Sequence, residues 1–280
     1  MTKTYLRFPG FKLKAFTMSY DDGVRQDKRL VQIMKTYGLK GTFNINSGLF
    51  EESPNRKTES GRMSESEAIA LLNGDNTEVA VHGFKHFSLA EMGREQSLND
   101  VLEDRKTLEK TFGKIVKGMA YPNGSVSDSV VEILKNCGIN YCRTVRSTHN
   151  FEIGENWLKL DPTCHHNDPR LMELAEKFVN LKPETNYWGN RPQMFYLWGH
   201  AYEFDDNNNW EVIENFAKFI SNRNDIWYAT NGEIYSYVKA VESLDISVDG
   251  SIIHNPSAIT VYINYLGKQL KIASGETVKI

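Results

Sequence analysis

Short apolar runs of strand character recur along this 280-residue chain, and most are followed by a stretch whose apolar positions repeat at helical spacing. The pattern predicts strands at 16–20, 41–46, 78–81, 118–121, 139–145, 157–160, 193–198 and 226–229. Between most of them it predicts helices, at 28–37, 64–72, 94–112, 127–136, 168–179, 210–221 and 232–241. In the first helix Leu30, Val31, Ile33 and Met34 mark one face and Gly38 the stop. Ser64 and Glu67 form a capping-box pattern at the start of the second. From Leu244 the pattern changes to short alternating segments broken by Asp249-Gly250, Asn255-Pro256, Leu266-Gly267 and Ser274-Gly275.

Strands alternating with helices in this number predict a distorted (β/α) barrel of seven or eight strands, with a small C-terminal β appendage. The expected division is a barrel over 1–243 and an appendage over 244–280. The appendage is too short to bury a core of its own, so it is expected to pack on the barrel as a stabilising cap. The polar segment 51–62 is expected to be a long loop near the site.

Composition narrows the class. A formal net charge of −3, with no basic cluster, argues against a surface that tracks nucleic-acid phosphates. Residues 1–14 contain no long apolar run, so neither a signal peptide nor a membrane span is expected. The chain reads as soluble and, by default, cytoplasmic, an extracellular place requiring a removed leader. Three cysteines, Cys137, Cys142 and Cys164, cannot all pair with one another and show no metal-type spacing, which fits a reducing compartment.

The candidate chemistry falls at strand ends, where a barrel mounts its site. Asp21-Asp22-Gly23 follows the first strand, and His82-Gly83-Phe84-Lys85-His86 follows the third. Tyr121-Pro122-Asn123-Gly124, Asp161 and Gly199-His200 follow the fourth, sixth and seventh. One carboxylate and two imidazoles make a three-ligand set for a divalent metal, open to water and substrate, and the second carboxylate is then free to act as a base. Each motif alone has a plainer reading: an Asx turn for the aspartates, exposed helix residues for histidines four apart, a buried structural residue for His200. Their order and common placement favour a site. Cys164-His165-His166 is expected to be a loop lining the cleft, with His165 or His166 contacting substrate, rather than a second metal site. Tyr20, Tyr121, Trp198 and Tyr202 are candidate stacking platforms for sugar rings, or packing residues.

The series Ser19-Tyr20-Asp21-Asp22-Gly23, His82-x-x-x-His86, Tyr121-Pro122-Asn123-Gly124 and Leu197-Trp198-Gly199-His200 resembles the polysaccharide deacetylase family, the NodB-homology carbohydrate esterases of family four. The resemblance spans roughly residues 14–240. It implies metal-dependent hydrolysis of N- or O-acetyl groups on a sugar, with a metal-bound water as nucleophile. By the same resemblance Asp22, His82 and His86 bind the metal, usually zinc, with cobalt, nickel, manganese or iron as alternatives. Asp21 is then the general base and His200 the general acid. Adjacent residues at a strand end point in different directions, so one aspartate can bind the metal while the other faces the attacking water. A backbone N–H near Tyr121 is expected to share stabilisation of the oxyanion with the metal.

Two departures stand out. The family's arginine that hydrogen-bonds the base is replaced by Ala120, so Arg143 or Arg146 is expected to supply the guanidinium. The family's pair of aspartates ending in tryptophan is missing, and Asp161 is the expected substitute for the one that orients the acid histidine. A carbohydrate-binding pseudoenzyme on this fold, and a metal-dependent hydrolase of small amides, are the alternatives. The expected partner is an acetylated carbohydrate, with no nucleic acid and no membrane.

Overall fold

The structure, a computed structural model, describes residues 6–51, 61–182 and 191–280. Most of the 51–62 loop, and the first five residues, lie outside the described residues. Among the described residues, nine strands precede the appendage: β1 (Leu6–Arg7), β2 (Lys14–Asp21), β3 (Gly41–Ile45), β4 (Thr77–Val81), β5 (Gly118–Ala120), β6 (Tyr141–Arg143), β7 (Cys164–His165), β8 (Gln193–Gly199) and β9 (Ile226–Tyr228). The helices are α1 (Asp27–Tyr37), α2 (Glu65–Leu72), α3 (Arg94–Phe112), α4 (Asp128–Asn136), α5 (Leu171–Asn180), α6 (Tyr202–Asp206), α7 (Trp210–Ile220) and α8 (Asn231–Glu242).

The capping signals in the sequence act as read. Ser64 and Glu67 complete both bonds of a capping box on α2, and Gly38 ends α1 at φ 64°. The sheet is parallel, in the order β6-β5-β4-β3-β2-β8-β7. Its axis is β2, buried over all eight residues. One edge of β2 is lined by β8 from Lys14 to Tyr20; the other pairs first with β9, at residues 14–16, then with β3, at 18–21. β2 is apolar at Ala15, Phe16, Met18 and Tyr20, and its buried hydroxyls are satisfied within the fold: Thr17 Oγ1 donates to Asn231 Oδ1 at 2.8 Å and Ser19 Oγ accepts from Asn44 Nδ2 at 2.7 Å.

The sheet curls nearly into a ring. Leu160 bridges Arg143 in parallel register, donates its N–H to Cys142 O at 2.9 Å, and accepts from Thr144 N–H at 3.0 Å. Three residues later Thr163 N–H donates to Tyr196 O at 2.8 Å and β7 pairs with β8. The strand predicted at 157–160 is therefore mostly absent. Residues 157–159 form a tight turn, capped by the Asn156 side chain accepting from Leu158 N–H, which buries Trp157 and Leu158 in succession rather than alternately. The strand that does pair, β7, is two residues long and comes later.

The C-terminal segment adds β10 (Asp245–Ile246), β11 (Ile252–His254), β12 (Val261–Tyr265), β13 (Lys268–Ile272) and β14 (Thr277–Lys279), in two antiparallel three-stranded sheets. One of them recruits β1 beside β12, joining the two ends of the described chain. Ile253, Val261, Ile263 and Ile272 pack with Leu6, Phe8, Tyr237 and Val238 and with Ala15, Tyr141 and Met194 at the starts of β2, β6 and β8. The appendage thus covers the end of the barrel opposite the strand-end rim. No helix among the described residues is long and apolar enough to cross a membrane.

Candidate active site

Asp21 is the last residue of β2 and Asp22 the first beyond it, at φ 81°. Aspartate tolerates this left-handed conformation better than most residues, and the turn separates the directions of the two carboxylates. Asp21, 2% exposed, accepts from Asn44 Nδ2 at 2.8 Å and from the Arg143 guanidinium. Arg143 is fully buried, also donates to Ser19 Oγ and Thr144 O, and lies 4.3 Å over the Trp198 ring. Burial alone raises the Asp21 carboxyl, but Arg143, His82 and His200 together bring it down to about 2.

The two histidines of the second motif sit on a loop that α3 holds in place. Asp104 accepts from His82 N–H at 2.9 Å and Ser47 N–H at 2.7 Å; one turn earlier Asp100 accepts from Phe84 and Lys85 N–H. Gly83 turns at φ 76°, and a Cβ there would stand 2.7 Å from Asp100 Oδ2. His82 is buried, with Nδ1 2.9 Å from Ala120 O, which turns Nε2 toward the aspartates. Burial holds its imidazole below the ordinary value, in the neutral form that ligates metals.

Asp22 Oδ1 lies 3.8 Å from His82 Nε2 and 3.5 Å from His86 Nε2, and one donor atom from each residue falls within 4.8 Å of the others. Two ligand atoms each about 2.0–2.1 Å from a tetrahedral cation stand about 3.3–3.4 Å apart, so the two separations from Asp22 Oδ1 lie within about half an ångström of metal-binding ones. Asp22 Oδ1 is buried without a hydrogen bond, and the set of two imidazoles and a carboxylate fits a divalent metal. Arg62, which donates to Asp22 O and stands 3.4 Å from Asp22 Oδ1, was not singled out in the sequence.

His200 lies between two carboxylates. Its Nε2 is 3.9 Å from Asp21 Oδ2 and its Nδ1 is 3.6 Å from Glu203 Oε1. Burial lowers its proton affinity, but Glu203, Asp21 and Asp22 outweigh that and raise it above the ordinary value. Glu203 faces three imidazoles. Burial pushes its carboxyl up, and His165, His166 and His200 pull it well below the ordinary carboxylate range. Only its place on α6, one turn after His200, would have pointed to it in the sequence.

Several sequence expectations need correction. Asp161 does not reach His200; it accepts from Thr144 Oγ1 and Arg146 and lines, with them, a separate cavity of about 820 Å³. Arg146 is thereby directed away from Asp21, which leaves Arg143 as the guanidinium beside it. The Tyr121 N–H is spent on Arg143 O at 3.0 Å, extending the β5–β6 ladder, and its hydroxyl donates to Leu158 O. Tyr20 and Tyr121 are both 1% exposed and so pack rather than stack on a ligand. His166, also 1% exposed, cannot contact a substrate; His165, Trp198 and Tyr202 remain near His200, at ring separations of 6.1, 5.7 and 5.2 Å. The three cysteines are free and buried.

Residues 10–142 match the family described as polysaccharide deacetylase. Among solved structures the chain is similar to a candidate polysaccharide deacetylase from Mycobacterium smegmatis, at 15% identity and a TM-score of 0.57, over 85% of this chain and 94% of that one. That likeness shows a shared fold. A CE4 family pseudoenzyme from Bacillus anthracis matches at 14% identity and a TM-score of 0.48, over 81% of this chain and 66% of that one. The Streptococcus pyogenes deacetylase PplD, in complex with acetate, matches at 17% identity and a TM-score of 0.46, over 51% of this chain and 61% of that one. No curated protein matches the chain by sequence.

Proposed function

Because residues 10–142 match the polysaccharide deacetylase family, we propose that this protein is a metal-dependent hydrolase that removes acetyl groups from a carbohydrate, with Asp22, His82 and His86 holding zinc. The observation that carries the reading is the position of Asp21. Its Oδ2 lies 3.8 Å from His82 Nε2 and 3.9 Å from His200 Nε2, so a base and an acid flank one three-donor cluster. A divalent cation held by that cluster supplies Lewis acidity, making water a stronger acid and drawing charge onto the acyl oxygen.

The chain's own groups do the rest. Asp21, held anionic by Arg143 and Asn44, takes the proton of the attacking water at Oδ2. His200 enters the cycle protonated, its charge favoured by Glu203, and gives the Nε2 proton to the departing nitrogen or oxygen. The near-complete burial of Asp21 and Arg143 keeps this pair away from bulk water, where its field would be screened.

The test is acetate release from a panel of N-acetylated and O-acetylated oligosaccharides by zinc- and cobalt-loaded protein, with Asp21→Asn as control. Release that falls at least about 10²-fold in the variant supports the reading and identifies the bond class. No release from metal-replete protein, with sugar binding retained, makes it a pseudoenzyme; turnover of small amides alone makes it a different hydrolase.

A further inference from the structure

We propose that His165, His166 and Glu203 form a second site for a divalent transition-metal cation, clipping the loop after β7 to helix α6. One donor atom from each falls within 4.8 Å of the others. Glu203 Oε2 is 3.0 Å from His166 Nε2 and 3.2 Å from His165 Nε2, close to the separation of about 3.3–3.4 Å between ligands of a tetrahedral cation. Two imidazoles and a carboxylate suit zinc, cobalt, nickel or ferrous iron.

The separations alone would also suit hydrogen bonds, but the orientations do not. Glu203 Oε2 and His166 Nε2 are both buried without a hydrogen-bond partner, although they lie this close; His166 Nδ1, on the other side of the ring, faces Gly199. Unsatisfied buried polar atoms are costly, and two that face one another at this distance indicate a missing partner common to both. A cation satisfies Glu203 Oε2 and His166 Nε2 together.

The surroundings hold the ligands in place. The His166 ring lies between Tyr20 and Phe204, 5.7 and 4.2 Å away and near-parallel to both. A Cβ on Gly199 would stand 1.9 Å from His166 Nδ1, so glycine before His200 is what admits the ring. His165 is fixed edge-on against Trp198 at 4.5 Å. The site also has a structural use. β7 has only two residues and the ring of strands closes there through one bridged residue, so a cation tying residues 165–166 to α6 reinforces the weakest part of the barrel. Glu203 Oε1 stays 3.6 Å from His200 Nδ1, so its contact with that histidine survives, while the cation offsets part of the carboxylate's charge there. The proposal does not depend on acetyl chemistry.

Zinc alone is the probe. Wild type, Asp22→Asn, His165→Gln and the double variant are loaded with zinc, passed into zinc-free buffer, and their metal content measured by elemental analysis, with circular dichroism as the check on folding. We expect two equivalents, one, one and none. In addition, zinc should raise the melting temperature of Asp22→Asn but not of the double variant. A single equivalent in wild type, kept in His165→Gln and lost in Asp22→Asn, overturns the second site and leaves the first. A single equivalent with the opposite dependence supports the second site and removes the ligand set of the proposed function. If His165→Gln fails to fold, the near-isosteric Glu203→Gln takes its place.

Discussion

Arg143 shows how one side chain can serve stability and, in the proposed function, chemistry together. It is the buried cation that makes a buried Asp21 anion tolerable, and the Trp198 ring beneath it adds a favourable face. Arg143→Ala should therefore destabilise the protein by about 3–5 kcal/mol, the usual cost of leaving one buried charge unpaired, as read from urea unfolding. Glu203 acts on His200 through charge. An acid works below its pKa, and His200 is raised, so the acid function proposed for it should extend to higher pH than for an ordinary histidine and fade as pH rises through the raised value. Glu203→Gln removes one of the charges that raise it, so the alkaline limb of the kcat/KM profile should move to lower pH. A purely structural role for Glu203 would lower activity without moving that limb.

At the scale of elements, the histidine loop after β4 has little regular structure of its own, and α3 supplies its acceptors. Asp100 and Asp104 lie one helical turn apart, both on the buried face of α3, and between them they hold Ser47, His82, Phe84 and Lys85 by backbone N–H groups. Asp104→Ala should weaken zinc binding by about 10–100-fold, the range for residues that orient ligands, measured by competition with a chromogenic chelator. His82 would keep its second acceptor, Ile45 O at 3.2 Å, so the fold should survive while the loop loosens. The sheet edge at β7 is the contrasting case, an element too short to be stable on its own and dependent on β8 and on its loop.

For the whole molecule, the two ends of the barrel have different tasks. The strand ends carry the site, and the strand starts are sealed by the C-terminal strands together with β1. Tyr237 on α8 joins the two parts: its hydroxyl donates to Arg7 O at 2.6 Å and accepts from Tyr262 N–H at 2.9 Å. Asn255, fully buried, donates to the carbonyls of Ile259, Ile272 and Ala273 and so ties the appendage to itself. Removing residues 244–280 should expose Leu6, Phe8 and Val238, and the shortened chain should aggregate or bind a hydrophobic dye strongly, without a change in which residues form the site.

The alternation of strand and helix, the Ser64–Glu67 capping box and the strand-end motifs were legible in the sequence because they depend on periods and neighbours a few residues apart. Asp21, Asp22, His82, His86 and His200 could be marked as candidates for the same reason, each being a distinctive residue type at the end of an apolar run. What the sequence left open were relations across space. Arg143 and Arg146 looked equivalent, and only the inward pleat of β6 directs one to Asp21 while the other turns out to Asp161. Glu203 and Arg62 bore no motif, and become neighbours of His200 and Asp22 only when α6 and the end of the 51–62 segment fold against the rim. The strand at 157–160 was misplaced because periodicity cannot tell a buried turn from a buried strand. Closure of the barrel through Leu160 and β7 is decided by hydrogen bonds between segments distant in the chain, which no local pattern encodes.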